Sequence, residues 1–214
     1  MKRIIVAPTV LAMSETDFKR RWARITPISR RVQVDFMDGR FVKTKSVPPT
    51  TVPDVRKSGK EFEAHLMVER PERWAPPLFA KGFKRAIVHI ETISPVGFRD
   101  LAARARKSRA VLIAAINPGT PLRRILPYLP SAAGVCVLGV EPGRNGAPYD
   151  PRTPSRVRAI ARRRCPVQVD GGMTLRTVGA VVRAGASRIN SGSYVGNAAD
   201  PRAALRDLAR AVRA

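Results

Sequence analysis

Short apolar runs recur along the chain, and most are followed by a stretch whose apolar residues fall three and four apart. Residues 4–7, 31–35, 61–68, 85–90, 111–116, 135–140, 167–170 and 187–190 read as eight strands. Pro8 is expected to stop the first. In the second, Val32, Val34 and Phe36 alternate with Arg31, Gln33 and Asp35 up to an Asp38-Gly39 turn. The stretches between read as helices. Ser14 and Asp17 can start one that carries Phe18, Trp22 and Ile25 on one side, and a short one is expected around residues 52–57. Pro71 opens another through Trp74 and Phe79, and residues 96–106, 122–129, 154–163, 174–184 and 201–212 supply the rest, with Thr174 as an expected N-cap. Strand and helix alternating eight times at this spacing predict a (β/α)8 TIM barrel, a single domain over residues 1–214. A doubly wound open sheet is the alternative, but the first strand runs into Pro-Thr-Val-Leu rather than a Gly-rich dinucleotide loop.

With 214 residues and 44% hydrophobic content, the chain fits one mid-sized domain. It has no run of about 18 apolar residues, and Met1-Lys2-Arg3 leads into a strand rather than a signal peptide, so a cytoplasmic protein that does not engage a membrane is expected. Cys136 and Cys165 lack metal or redox spacing and read as reduced thiols in or near the core. The formal charge of +24 raises the question of nucleic acid. The basic residues fall on segments read as surface helices, such as Arg156, Arg158 and Arg162 to Arg164, with no interleaved aromatics and no recognition motif. They read as a solvated surface that binds polyanions without specificity. Homo-oligomer formation is left open.

In a barrel, polar residues at strand C-termini meet on one rim. Here these are Thr9, Gln33, Asp35, His65, Glu91, Asn117, Glu141, Asp170 and Ser191 to Ser193. Asp35 and Asp170, on the second and seventh strands, can reach a common centre with His65. Two carboxylates on opposite walls suit removal of a proton from one face of a carbon and return to the other. Carboxylate and imidazole also suit one divalent cation, Zn²⁺, Fe²⁺, Mn²⁺ or Co²⁺, that would polarise a ketone. The structural alternative makes His65 a satisfied rim histidine and leaves both Asp residues capping loops. His89, inside an apolar run, reads as a core histidine. Glycine-rich turns follow the last three strands at Gly143 to Gly146, Gly171-Gly172 and Gly192-Ser193, where barrels bind phosphate.

The pieces Ala7-Pro8-Thr9-Val10-Leu11, Val34-Asp35-Phe36-Met37-Asp38-Gly39, His65-Leu66-Met67-Val68-Glu69-Arg70-Pro71, Val88-His89-Ile90-Glu91, Asn117-Pro118-Gly119-Thr120-Pro121 and Val169-Asp170-Gly171-Gly172, in this order and spacing, resemble ribulose-phosphate 3-epimerase across nearly the whole chain. The resemblance implies a metal-dependent barrel that interconverts ribulose 5-phosphate and xylulose 5-phosphate, a phosphorylated ketose pair. It implies Asp35 as proton acceptor and Asp170 as proton donor, both of them metal ligands together with His65. It assigns the substrate to Thr9 and His65, and the phosphate end to Gly143, Arg144, Asn145, Gly146, Gly171, Gly172, Gly192 and Ser193. Three positions depart from the family: Gln33 stands where it has a metal-binding His, Thr9 where it has Ser, and Gly143-Arg144-Asn145-Gly146 where it has Gly-Phe-Gly-Gly. A Gln33 amide oxygen can ligate a metal, as a harder donor than imidazole, and Arg144 can pair with phosphate. A relative acting on another ketose phosphate, and a phosphosugar- or polyanion-binding relative without turnover, are the alternatives.

Overall fold

The computed structural model describes residues 4–143 and 146–213. Eight parallel strands close on themselves in sequence order: β1 (Ile5–Val10), β2 (Arg31–Met37), β3 (Glu61–Met67), β4 (Arg85–His89), β5 (Val111–Ile116), β6 (Val135–Leu138), β7 (Val167–Asp170) and β8 (Arg188–Ser191). β1 pairs with both β2 and β8, so the sheet has no free edge. The helices are α1 (Glu15–Ile25), α2 (Pro71–Ala80), α3 (Pro95–Lys107), α4 (Thr153–Ala161), α5 (Val178–Arg183), α6 (Ser193–Gly196) and α7 (Pro201–Ala211). This is the (β/α)8 barrel that the periodicity predicts. Among the described residues no helix is long and apolar enough to cross a membrane.

Closure explains why the alternation in β2 does not separate core from solvent. Val32, Val34 and Phe36 are all buried in the main apolar core. Phe36 packs near Trp74 of α2 and near Phe83, and Trp22 of α1 stacks on Phe62 at 5.1 Å. The other face, Gln33 and Asp35, is equally buried, because it looks into the barrel. That interior is divided. Ile87, Ile113, Ala115, Cys136 and Leu138 form an apolar cluster, whereas Glu63, Arg85, Gln168, Arg188 and Asn190 form a polar one bound by ion pairs and hydrogen bonds.

Four sequence expectations change. β1 does not stop at Pro8 but runs to Val10; Pro8 stands where the strand passes from pairing with β8 to pairing with β2. Residues 52–57 are loop, not helix. Pro48, Pro49 and Pro53 remove backbone donors there, Lys81 Nζ donates to the carbonyls of Pro49 and Thr50, and buried Val52 and Val55 cover the barrel directly. Residues 122–128, interrupted by Pro127, wind as a 3₁₀ helix. Thr174 does not cap α5, which starts four residues later; its hydroxyl accepts from the Arg176 N–H in a preceding turn, and its carbonyl accepts from Thr177 and Val178.

Candidate active site

The C-terminal ends of the strands surround an open cleft. Thr9, Asp35, His65, Gly143, Gly146, Asp170, Gly171, Gly172, Gly192 and Ser193 all line it, so the fold brings these predicted site residues together. Arg144 and Asn145 lie outside the described residues. Glu141 also lines the cleft, while Glu91 and Asn117 stand behind it and Ser191 is turned to the Met173 carbonyl. Apolar walls from Leu11, Met37, Met67 and Tyr194 were not singled out from sequence, since nothing distinguishes such residues from core.

On the cleft floor, His65 Nδ1 lies 2.8 Å from Asp170 Oδ2 and 3.5 Å from Asp35 Oδ1. Asp35 and Asp38 part company here. Asp38 accepts from the backbone N–H groups of Arg40, Phe41 and Glu69, a loop-capping role that holds its carboxyl below the ordinary range despite partial burial. Asp35 makes no such turn. Burial drives its carboxyl up, outweighing the lowering by His65 and Gln33, which moves a base toward the pH at which proton transfer works best.

His65 is fixed from behind by His89. That histidine is fully buried, as expected of a core residue, but its Nε2 meets His65 Nε2 at 2.9 Å and the rings stack with centroids 5.1 Å apart. Burial, together with the charge on His65, lowers the His89 pKa, so it is neutral. Its Nδ1 faces two acceptors, Asn117 Oδ1 at 2.8 Å and Glu91 Oε2 at 3.7 Å, and therefore carries the hydrogen. The Nε2 of His89 is then the acceptor, His65 donates from Nε2, and His65 Nδ1 is the nitrogen presented to the two carboxylates.

The donor set fits a divalent cation. One atom from each of Asp35, His65 and Asp170 lies within 4.8 Å of the others. The buried His65 Nδ1 has no well-aligned hydrogen bond, yet it stands at 2.8 and 3.5 Å from oxygens of both acids. Ligands at about 2.0–2.2 Å from one ion lie roughly 3–3.5 Å apart. Gln33 is fully buried beneath them and turns its Nε2 toward the site, donating to Asp170 Oδ2 (2.8 Å), Asp35 Oδ1 (2.9 Å) and Thr9 Oγ1 (3.3 Å). The amide oxygen that a metal would need faces away, toward Asn190.

A closed parallel barrel with an acid–imidazole–acid floor at its C-terminal mouth has the architecture of a TIM-barrel enzyme. Its comparisons narrow the class. Residues 5–196 match the model of the Ribulose-phosphate 3 epimerase family. A ribulose-phosphate 3-epimerase of Mycobacterium leprae is 33% identical over 96% of this chain and 94% of its own length; one of Schizosaccharomyces pombe is 31% identical over 97% and 93%. Among solved structures, 3-keto-L-gulonate-6-phosphate decarboxylase of Vibrio cholerae superposes with a TM-score of 0.76 over 99% of this chain and 98% of that one, at 9% identity, a likeness of fold alone. The chain belongs to the ribulose-phosphate 3-epimerase family and is a carbohydrate-phosphate epimerase, an isomerase.

Proposed function

We propose that this enzyme interconverts ribulose 5-phosphate and xylulose 5-phosphate by two-base proton transfer at C3, with Asp35 and Asp170 as the bases. The observation that carries the reading is the convergence of two buried carboxylates, from β2 and β7, on one imidazole at the floor of the cleft. Asp35 takes the C3 proton from one face, leaving the electron pair in the enediolate of C2 and C3. Asp170, protonated, returns a proton to C3 from the other face, and the reverse reaction exchanges their roles. Afterwards Asp35 holds the proton and Asp170 is ionised, so the pair resets through solvent at the open mouth. Asp35, His65 and Asp170 would hold a divalent cation, Zn²⁺, Fe²⁺, Mn²⁺ or Co²⁺, which when bound polarises the C2 carbonyl and offsets the developing negative charge.

The phosphate end is assigned to the glycine turns. Gly171 and Gly172 have φ of 86° and 70°, and a Cβ on them would come within 2.6 Å of Val140 Cγ2 and 2.7 Å of Tyr149 Cδ2 respectively. Backbone alone fits there, which supports close approach of N–H groups to an anion. Gly143, Gly146, Gly192 and Ser193 line the same cleft, and Arg144 and Asn145 join them by sequence. A phosphorylated substrate argues for the cytoplasm as the working compartment. The excess of 40 Lys and Arg over 16 Asp and Glu supports salt-sensitive, sequence-indifferent contact with polyanions. To test the substrate assignment, the purified protein is supplied with ribulose 5-phosphate and, separately, with a ketohexose 6-phosphate. Faster epimerisation of the hexose would transfer the assignment to that substrate.

Metal binding should be coupled to protons. In the metal-free protein the two acids outweigh the lowering effect of burial and push the His65 pKa up to about 10. A cation must displace that proton from Nδ1. About one proton should therefore be released per ion at pH 7, and affinity should rise roughly ten-fold per pH unit between 7 and 9. Calorimetry of Mn²⁺ binding in buffers of different ionisation enthalpy reads the proton count. Affinity independent of pH across this window would show that no proton leaves His65 when the cation binds.

A further inference from the structure

The amide of Gln33 has two ends, and which one enters the site is decided by Glu63, two hydrogen bonds away through Asn190. Glu63, fully buried in the barrel, accepts from Arg85 Nε at 2.7 Å and from Gln168 Nε2 at 3.2 Å, and Arg188 Nε lies 3.5 Å from it. With two guanidinium groups set against it inside the barrel, Glu63 is the anion of the cluster. An ionised carboxylate only accepts, so the neighbouring Asn190, itself fully buried, must offer Nδ2, which it does at 2.9 Å from Glu63 Oε1. The same Nδ2 donates to Gln33 Oε1. Turning Gln33 over would set its NH2 against the NH2 of Asn190, and turning Asn190 as well would set an amide oxygen against the Glu63 carboxylate. The chain Arg85 and Arg188, Glu63, Asn190, Gln33 is thus directional. It ends with Gln33 Nε2 at 2.9 Å from Asp35 Oδ1 and 2.8 Å from Asp170 Oδ2, the oxygens that also face His65.

We propose that Gln33 is a positioning residue that ties together the two site carboxylates by hydrogen bonds from its NH2, held in that sense by Glu63 through Asn190, and that it is not a ligand of the cation. The cation site is then a three-residue one with more positions left open to substrate oxygens. Removing Gln33 leaves all three ligands in place, so it costs the cation less than losing one of them. This inference rests on Asp35, His65 and Asp170 being the ligands, and its test separates the two.

Gln33→Leu, with folding checked by circular dichroism, is titrated with Zn²⁺ and Mn²⁺ beside the wild type and His65→Leu. The expected result is a Gln33→Leu loss of affinity well below that of His65→Leu, with kcat lower by about ten-fold or more and KM within about three-fold, because the acids lose their alignment to C3. His65→Leu should lose metal affinity by at least about ten-fold. Loss of affinity in Gln33→Leu to the level of His65→Leu would make Gln33 a ligand and overturn the proposal, whereas undiminished affinity in His65→Leu would instead sink the ligand assignment on which it rests. A second measurement needs no variant. Gln33 and Gln168 are the only glutamines in the chain, so selective ¹⁵N labelling of glutamine side chains gives two resolvable NH2 groups. Those of Gln33 should show nuclear Overhauser contacts to Thr9 both without metal and saturated with Zn²⁺. Replacement of these contacts by contacts to the Asn190 amide, in either state, would overturn the proposal.

Discussion

Asp35→Asn and Asp170→Asn should each lower kcat for epimerisation by about 10²–10⁴-fold while leaving the circular dichroism spectrum unchanged. The amide can neither accept the C3 proton nor return one, yet it has nearly the shape of the carboxylate it replaces. Each acid is mostly buried, Asp170 at the end of its strand and Asp35 two residues before the end of its own, where its neighbours leave little room to compensate. The two variants should differ in partial reactions. With Asp170→Asn, Asp35 can still remove and restore a proton on its own face, so one ketose should exchange its C3 hydrogen with solvent without becoming the other; Asp35→Asn should do the same from the opposite epimer. Turnover near wild type in either variant would remove that carboxylate from the reaction. Both variants also lower the charge facing a cation, so metal should be present at saturation when kcat is measured.

Glu63→Leu should have the largest effect on stability. The carboxylate is fully buried and pairs Arg85 Nε at 2.7 Å and Arg188 Nε at 3.5 Å inside the barrel. Its removal leaves guanidinium charge in the interior, only partly answered by Glu61, which accepts from Arg188 Nη1 at 2.7 Å. Breaking a buried pair in this way costs about 3–5 kcal/mol. For a chain of this length each kcal/mol moves Tm by about 2–4 °C, so a fall of roughly 10 °C is expected in a thermal scan. The pH dependence has a definite sign. The folded pKa of Glu63 lies below its ordinary value of 4.5, so its contribution is complete above that value and disappears as pH falls through the folded pKa. The gap in Tm between wild type and variant should be full at pH 6–8 and shrink under acid. A gap that is unchanged at pH 3 would mean that packing, not charge, holds this layer.

The strands are legible as short runs that are either apolar or alternate apolar with polar residues, and the order of polar residues toward their C-terminal ends puts Asp35, His65 and Asp170 on one rim. The loop over residues 52–57 was not legible. Val52 and Val55 are three apart, as on a helix, but that spacing reports their burial against the barrel, while the prolines around them and the Lys81 ammonium hold an irregular path. The interior polar layer was hidden for a different reason. Glu63, Arg85, Gln168 and Arg188 occupy the positions that would face solvent in a one-sided sheet, and only closure of the barrel turns them inward. Gln33 shows the limit most clearly. Its identity could be read as an oxygen donor in a histidine's place; which end of the amide enters the site depends on Asn190 and Glu63, far from it in sequence. The apolar run around His89 marks it as buried, but its contact with His65 needs the stagger of neighbouring strands to bring the two rings together.

If Asp35 and Asp170 are the two bases, the C3 hydrogen exchanges with solvent as the configuration inverts. Ribulose 5-phosphate incubated with the wild-type enzyme in D2O, with Mn²⁺ or Zn²⁺ supplied, is followed by proton NMR and mass spectrometry at early conversion. The account predicts that xylulose 5-phosphate forms with one deuterium, located at C3. Product that keeps its original hydrogen at C3, or no conversion with either metal, would contradict it.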